Sequence, residues 1–516
     1  MRSFFQPPRF HVPAVFGVQP GSQFFLPVPV EGEKVCLNCV NPPPGSGFDA
    51  SSGTLSGRIA QPGAYRVRFE AENPAGRAVC EIRLIAGNGI QLTPPMGWNS
   101  WYCFSEGVSD TRIRMIADAL VERGLAAHGW TSVNIDDCWQ GKRGGKFGAL
   151  QGNERFPDMK ALVDYVHRRG LRFGLYSTPW ISTYAGFRGG STDAGREERL
   201  FLPEAQRLQP NQVFGRYPGV HELKVDRNGT VWKVGDDIRQ WAEWGVDFVK
   251  MDWNPNDLPT TRRIATELRN CGRDIVLSLS NNAAEADAAE LLSLAQLCRV
   301  SPDIKDTWES ISGIGFSHAS AWQREMGPGR FPDLDMLQIG AIGVPNTPNP
   351  CFTPTRLTPA EQRTQFTLWC LLSAPLLLSC DIAGMDEATF QLLTNDALIA
   401  IDQDPLAVPP KIRERGNGIL EYRKPLADGS TAIALFNRSD EKHICRLEEE
   451  RDGMELWSGE ELELQGEVVV APHAVRLYRT TGPRQENRKR TEAVFANRTV
   501  ACDSHRKIGN IPAENF

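Results

Sequence analysis

The chain has 516 residues, enough for two to four domains with one of them large, and its formal net charge is −6. An acidic balance excludes a global attraction to nucleic acid or to an anionic membrane, and no stretch is long and apolar enough to span a bilayer. Its 12 cysteines are too sparse for a disulfide scaffold, so buried free thiols are the expectation for most of them.

Met1 to Gly21 has no apolar h-region and is interrupted by Pro7, Pro8 and Pro13, so no signal peptide is expected. Residues 22–88 read as a small β-module. Alternating runs at Lys34–Cys39, Ala64–Glu70 and Ala78–Ile85 are separated by turns such as Pro42-Pro43-Pro44-Gly45. Cys36 and Cys39 form a CxxC, but no second Cys/His pair stands at zinc spacing, and no metal or other cofactor is expected.

From residue 89 short apolar strands alternate with helix-length amphipathic runs. The strands read as Met96–Trp101, Ser132–Asp136, Arg172–Ser177, Asp247–Asp252, Ile275–Ser280, Leu297–Ser301, Phe331–Met336 and Pro375–Cys380. Helical runs between them include Thr111–Arg123, Met159–Arg169, Asp237–Glu243 and Ala360–Leu372. Eight β-then-α units predict an α/β fold of the (β/α)8 TIM-barrel type over residues 89–406. The long gap from Thr178 to Gly235 reads as an active-site loop insertion. Residues 407–481, with short strands at Ile419–Tyr422, Thr431–Asn437 and Ala474–Tyr478, read as a C-terminal antiparallel β-sandwich, and the polar stretch 482–516 as a disordered tail.

In such a barrel the site lies where the strands end. There the sequence sets Trp101, Asp136 and Asp137, Tyr176, Lys250 and Asp252, Ser280, Arg299 with Asp303 just after it, Asp333 and Asp335, and Asp381. Each acid alone reads as a helix N-cap or a turn residue. Five or more of them on one rim with two cations are costly to gather unless paired or used. Carboxylates that accept hydrogen bonds from hydroxyls, beside Trp and Tyr faces, suit a polyhydroxylated ligand. A divalent metal would usually bring a histidine, and none of the 8 falls at a strand end.

The motifs Pro94-Pro95-Met96-Gly97-Trp98-Asn99-Ser100-Trp101, Asn134-Ile135-Asp136-Asp137-Cys138-Trp139, Phe173-Gly174-Leu175-Tyr176-Ser177, Lys250-Met251-Asp252, Arg299-Val300-Ser301-Pro302-Asp303 and Pro332-Asp333-Leu334-Asp335 resemble, in order, glycoside hydrolase family 27, the α-galactosidases and α-N-acetylgalactosaminidases. Residues 44–65 resemble bacterial immunoglobulin-like modules. The family resemblance implies hydrolysis of a glycoside or oligosaccharide by double displacement, between two carboxyls about 5–5.5 Å apart. By it Asp252 is the nucleophile and Asp303 the general acid/base. Asp136, Asp137 and Lys250 hold the O4, O6 and O3 hydroxyls, Arg299 and Asp335 the O2 side, and Trp101 and Tyr176 wall the pocket. Lys250 and Arg299 are expected to depress the Asp252 pKa. Relatives are often secreted or periplasmic.

Three places depart from the family. Asn254 stands where many members have a cysteine, Tyr176-Ser177-Thr178 replaces the usual Tyr-Ser-Asp and leads into a Gly-rich wall, and Ser280-Asn281-Asn282-Ala283 carries the small residues of the roomier acetylgalactosaminidase type. The resemblance therefore leaves several substrates open: an α-galactoside first, then an α-N-acetylgalactosaminide, a β-L-arabinopyranoside or an isomalto-type α-glucan, with a non-catalytic sugar-binding protein as the remote reading. A disulfide between Cys103 and Cys138 is also implied by the family.

Overall fold

The structure, a computed structural model, describes residues 6–193, 229–281, 283–343 and 351–480. Asn282, residues 194–228 of the expected loop insertion and the stretch 482–516 lie outside them. The chain forms two compact units, Met1–Pro409 with His473–Val475, and Pro410–Pro472 with Arg476 onward.

The first unit opens with two small sheets facing one another. Val15–Val18, Gly76–Ala86, Gly63–Asn73 and Cys36–Cys39 form one, and Gln23–Pro27, Thr54–Arg58 and Ser46–Asp49 the other. Along Gly63–Asn73 the side chains Val67, Phe69 and Ala71 point inward at every second residue, as a half-buried strand requires. Val67 and Phe69 meet Phe24, Leu26, Leu55, Ile82 and Leu84 in one core. The module thus begins earlier than residue 22, because Val15–Val18 pairs in parallel with the last strand. The same i, i+3 spacing that makes a CxxC puts Cys36 outward and Cys39 inward on their strand.

The barrel strands are β1 (Met96–Asn99), β2 (Ser132–Asn134), β3 (Arg172–Ser177), β4 (Phe248–Asp252), β5 (Val276–Ser280), β6 (Leu297–Arg299), β7 (Phe331–Asp333) and β8 (Leu376–Leu378). They pair in parallel in chain order, and β1 also pairs with β8. Each is buried on both faces and so reads as a nearly continuous apolar run. Closure between β7 and β8 is thin and made beyond the strands themselves: among the described residues it comprises the bridge Leu337–Leu378 with the bond from Leu337 N–H to the Leu377 carbonyl, 2.8 Å, and the bridge Ile342–Cys380 with the bond from Asp381 N–H to the Ala341 carbonyl, 2.8 Å. Gly174 is demanded by a close approach, since a Cβ there would lie 2.0 Å from Asn134 Oδ1. That asparagine donates to the Trp98 carbonyl at 3.1 Å and so braces β1 against β2.

The outer helices start where the sequence supplies caps: Ser109, Asp158, Asp257 and Thr358 each accept an amide from the first turn. The N-terminal module rests on the end of the barrel where the strands begin. Gln23 N–H donates to the Gly272 carbonyl and Asp274 N–H to that of Gln23, both at 2.9 Å. Arg172 at the start of β3 donates to the Phe25 carbonyl at 3.1 Å.

The hairpin Gln140–Gly144/Ala149–Gly152 after β2 is pinned by a buried ion pair. Arg143 meets Asp237 with Nη1–Oδ1 2.6 Å and Nη2–Oδ2 3.1 Å, and Leu150 N–H donates to Asp237 Oδ1 at 2.9 Å. Because the Asp237 side chain is 0% exposed, Arg143→Met strands a carboxylate without a counter-ion. The expected loss is about 3–5 kcal/mol, seen as a fall of several degrees in the thermal midpoint of the first unit. An unchanged midpoint would refute the pair's structural role.

The second unit is a six-stranded sheet in the order Lys411–Gly416, Ile419–Pro425, Thr431–Asn437, Val475–Thr480, His443–Glu455, Glu460–Val470. It agrees with the antiparallel β-domain expected after Pro405.

Candidate active site

The ends of β1 to β7 place the expected side chains on one rim. β1 is shorter than expected: it stops at Asn99, whose side chain accepts the Trp101 amide at 2.9 Å and turns the chain into a one-turn helix, Trp101–Phe104. Trp101, half-buried, heads that helix. The turn brings in a residue that the strand reading missed. Tyr102 is half-buried, and its hydroxyl donates to Asp335 Oδ2 at 3.4 Å. Only the aromatic after the Gly-Trp-Asn-Ser-Trp motif could have signalled it.

Asp136 follows β2. Its Oδ2 accepts from Asn99 Nδ2 and from Lys250 Nζ, each at 2.9 Å. Burial opposes the Lys250 charge, yet Asp136 and Asp252 outweigh it and hold the ammonium well above the usual lysine range. The same Nζ lies 5.2 Å from the Tyr176 ring centre. Asp137 is engaged by backbone amides. Its oxygens accept from Cys138 N–H at 2.7 Å and Ala185 N–H at 2.9 Å, and burial pushes its pKa up to about 7.

Register sets the centre of the site. Tyr176 on β3 stands opposite Lys250 on β4, and Asp252 at the end of β4 opposite Ser280 at the end of β5. Among the described residues, Tyr176 Oη, Asp252 Oδ1 and Ser280 Oγ are buried polar atoms with no hydrogen-bond partner. Buried polar groups are nearly always satisfied, so three orphans on adjacent strand ends point to a ligand that supplies their partners.

Arg299 organises the opposite side. Nη2 reaches Asp303 Oδ1 at 2.5 Å and Nη1 reaches Asp335 Oδ2 at 2.9 Å. Asp335 Oδ2 also takes the Ile304 amide at 3.0 Å. Asp335 has φ +70°, a left-handed conformation uncommon outside glycine, and Asp333 Oδ1 secures it by accepting the Asp335 amide at 2.8 Å. Asp333 is therefore a buried brace, whereas Asp381 only closes a turn onto Gly384 N–H, 3.1 Å.

The two principal carboxyls are displaced in opposite directions. For Asp252, 7% exposed, burial outweighs Lys250 and Arg299 and raises its pKa to about 6. The two cations do lower it, as expected, but burial is the larger effect and the net shift is upward, since the barrel removes water from the carboxylate while Lys250 is shared with Asp136. For Asp303 burial is outweighed by Arg299 and Lys250, and its carboxyl lies below the usual range. Its side chain is 65% exposed, open to water and to a bulky leaving group.

The departures also have structures. Asn254 Nδ2 donates to Asn281 Oδ1 at 3.4 Å, joining the loops after β4 and β5. Ala283 is buried, and its amide donates to the Arg299 carbonyl at 2.9 Å. Cys103 and Cys138 are both buried free thiols, so the bridge implied by the family is not formed.

Comparison with known proteins places these residues in a lineage. The model of the alpha galactosidase A family matches residues 93–201 and 219–404, and that of the alpha galactosidase C-terminal beta sandwich domain matches 421–480. An Oryza sativa alpha-galactosidase is 31% identical over 409 residues, covering 76% of this chain and 85% of that protein. An alpha-N-acetylgalactosaminidase of Gallus gallus is 30% identical, over 68% of this chain and 80% of its own. A Bacteroides fragilis structure assigned as an alpha-galactosidase/melibiase superposes with a TM-score of 0.77 at 28% identity, covering 93% of this chain and 99% of that one. A β-L-arabinopyranosidase of Geobacillus stearothermophilus superposes with a TM-score of 0.61 at 26% identity, over 76% and 98%.

Proposed function

The chain belongs to the α-galactosidase family of glycoside hydrolases, family 27, and from that premise we propose that it removes terminal α-galactosyl groups by double displacement, with Asp252 as nucleophile and Asp303 as general acid/base. The observation that carries the reading is the set of buried unpaired atoms, Asp252 Oδ1, Tyr176 Oη and Ser280 Oγ, at the ends of three neighbouring strands. Asp252 attacks the anomeric carbon while Asp303 gives its proton to the leaving oxygen; Asp303 then takes a proton from the water that releases the sugar. Asp136, Lys250, Arg299 and Asp335 bind ring hydroxyls, and Trp101 and Tyr176 wall the pocket.

One observation favours a second reading. Asp137, which the family resemblance assigns to a sugar hydroxyl, is already engaged by the Cys138 and Ala185 amides beneath the Thr178–Thr192 wall. A pocket closed on the C6 side suits a pentopyranoside, which has no C6. Initial rates on p-nitrophenyl α-galactoside, α-N-acetylgalactosaminide, β-L-arabinopyranoside and α-glucoside separate the two. Turnover of the α-galactoside above the rest supports the first reading, and preference for the arabinoside the second. Silence of folded protein across the panel would refute both.

The pKa pattern fixes the pH dependence. The reactive state carries one proton between the two carboxyls, on Asp303. Asp252 has the higher affinity for that proton, with a pKa of about 6, and Asp303 the lower. Below about 6 the pair stays singly protonated and a constant fraction is reactive; above 6 both carboxyls ionise and the acid is lost. We therefore expect kcat/KM to fall about tenfold per pH unit above 6. A rate that rises from pH 6 to 8 would overturn the assignment.

A further inference from the structure

Far from the rim, at the end of the barrel where the strands begin, four metal-binding side chains from four segments meet. His11 follows the short strand Arg9–Phe10, and Glu31 ends the strand paired with it. His128 closes the 3-10 turn before β2, and Asp396 opens the helix Asp396–Asp402. One donor atom from each lies within 4.8 Å of the other three. His11 Nδ1 is 3.3 Å and His128 Nδ1 2.7 Å from Asp396 Oδ1, and His11 Nε2 is 3.4 Å from Glu31 Oε2.

Each residue gives one ligand atom; with His11 Nδ1 as donor its 3.3 Å edge to Asp396 Oδ1 already suits a tetrahedral ion, while the 2.7 Å edge from His128 must open by about 0.6 Å and Glu31 must turn from Nε2 toward the ion. Zinc bonds of about 2.0–2.1 Å give donor-to-donor edges of about 3.3–3.4 Å. Two imidazoles with two carboxylates are a donor set that zinc takes readily. The surroundings are built as well. The His11 and His128 side chains are 9% and 11% exposed, their rings lie 4.9 Å apart, and His128 sits edge-on to Phe390 at 6.2 Å. Arg9 takes the outer oxygen of Asp396, Oδ2, at 3.0 Å and leaves Oδ1 facing both rings.

We propose that His11, Glu31, His128 and Asp396 form a structural zinc site that fastens the N-terminal strand pair to the barrel. Four protein ligands leave no open position, so the ion has a binding role and no part in turnover. Its carboxylates come from segments far apart in the sequence of the first unit, and the ion adds a shared bond to the ion pairs that Arg9 makes with each.

The test uses the untagged full-length protein, stripped with a chelator and titrated with Zn2+ against a chromophoric competitor, then with Co2+ as a spectroscopic probe. The expected result is one equivalent per chain, a thermal midpoint raised by several degrees, and the visible bands of tetrahedral cobalt without thiolate charge transfer. His11→Ala and His128→Ala should each weaken binding by about 100-fold or more while glycosidase turnover, read at the distant rim, is kept. If a variant fails to fold, the wild-type stoichiometry and cobalt spectrum decide. No stoichiometric uptake by wild type would leave the cluster as a plain ion-pair network and overturn the proposal. So would binding that survives the double variant, or a cobalt–thiolate band, which would move the metal to Cys36 and Cys39.

Discussion

Asp252→Asn is expected to lower kcat on the preferred p-nitrophenyl glycoside on the order of 10⁴–10⁶-fold while leaving the dissociation constant of the free sugar within a few-fold of wild type. The amide fills the same space at the end of β4, opposite Ser280, but carries no charge with which to attack. Replacing the carboxylate also removes the group whose pKa burial lifts to about 6, so the onset of the fall in the residual rate should move below that pH, to where Asp303 alone loses its proton. Rates and isothermal titration on one preparation make the check. Activity above a tenth of wild type would remove Asp252 from the nucleophile's place, and equal loss of turnover and sugar binding would point to damage of the pocket instead.

The second large effect depends on the leaving group. Asp303→Asn should cost about 10²–10⁴-fold on an alkyl glycoside, whose oxygen must be protonated to depart. A dinitrophenyl glycoside needs no such help, so formation of the glycosyl-enzyme should be almost unaffected. Its breakdown should then limit the rate and KM should fall. Azide, a nucleophile that needs no general base, should restore turnover and yield a glycosyl azide. Asp303 is exposed enough for that exchange, and Arg299 keeps its bond to Asp335 in the variant. A uniform loss across leaving groups, without azide rescue, would show that Asp303 acts only on binding.

The parts of this molecule that the sequence reveals are those whose causes are local. The eight strands are legible because a strand buried on both faces is apolar along most of its length, as in Leu376–Leu378, and because the chain breaks at a polar residue where each reaches the rim. The carboxylates at those ends are legible for the same reason. Tyr102 is not, because one hydrogen bond from the Trp101 amide to Asn99 decides that the chain turns before it. The sign of the Asp252 shift is not legible either. It depends on how much water the closed barrel excludes and on which carboxylate Lys250 chooses, and both are properties of the assembled site. The His11 cluster is the extreme case: His128 and Asp396 stand 268 positions apart, so no spacing rule connects them.

The thin closure between β7 and β8 carries a consequence for heat inactivation. Leu337 lies two residues beyond Asp335, and Asp335 holds the guanidinium that in turn holds Asp303. When the barrel breathes, the hoop parts first where fewest backbone bonds cross it, and that parting frees the side chain on which the position of Asp303, the proposed proton donor, depends. Catalytic competence is therefore lost at the free energy of a local opening, well before the other strands separate. By the proposed reading a sugar held by Asp335 binds only the closed hoop, so occupancy shifts the local opening by the RT ln(1 + L/Kd) that its affinity supplies, L being the free sugar concentration, and protects activity and fold together.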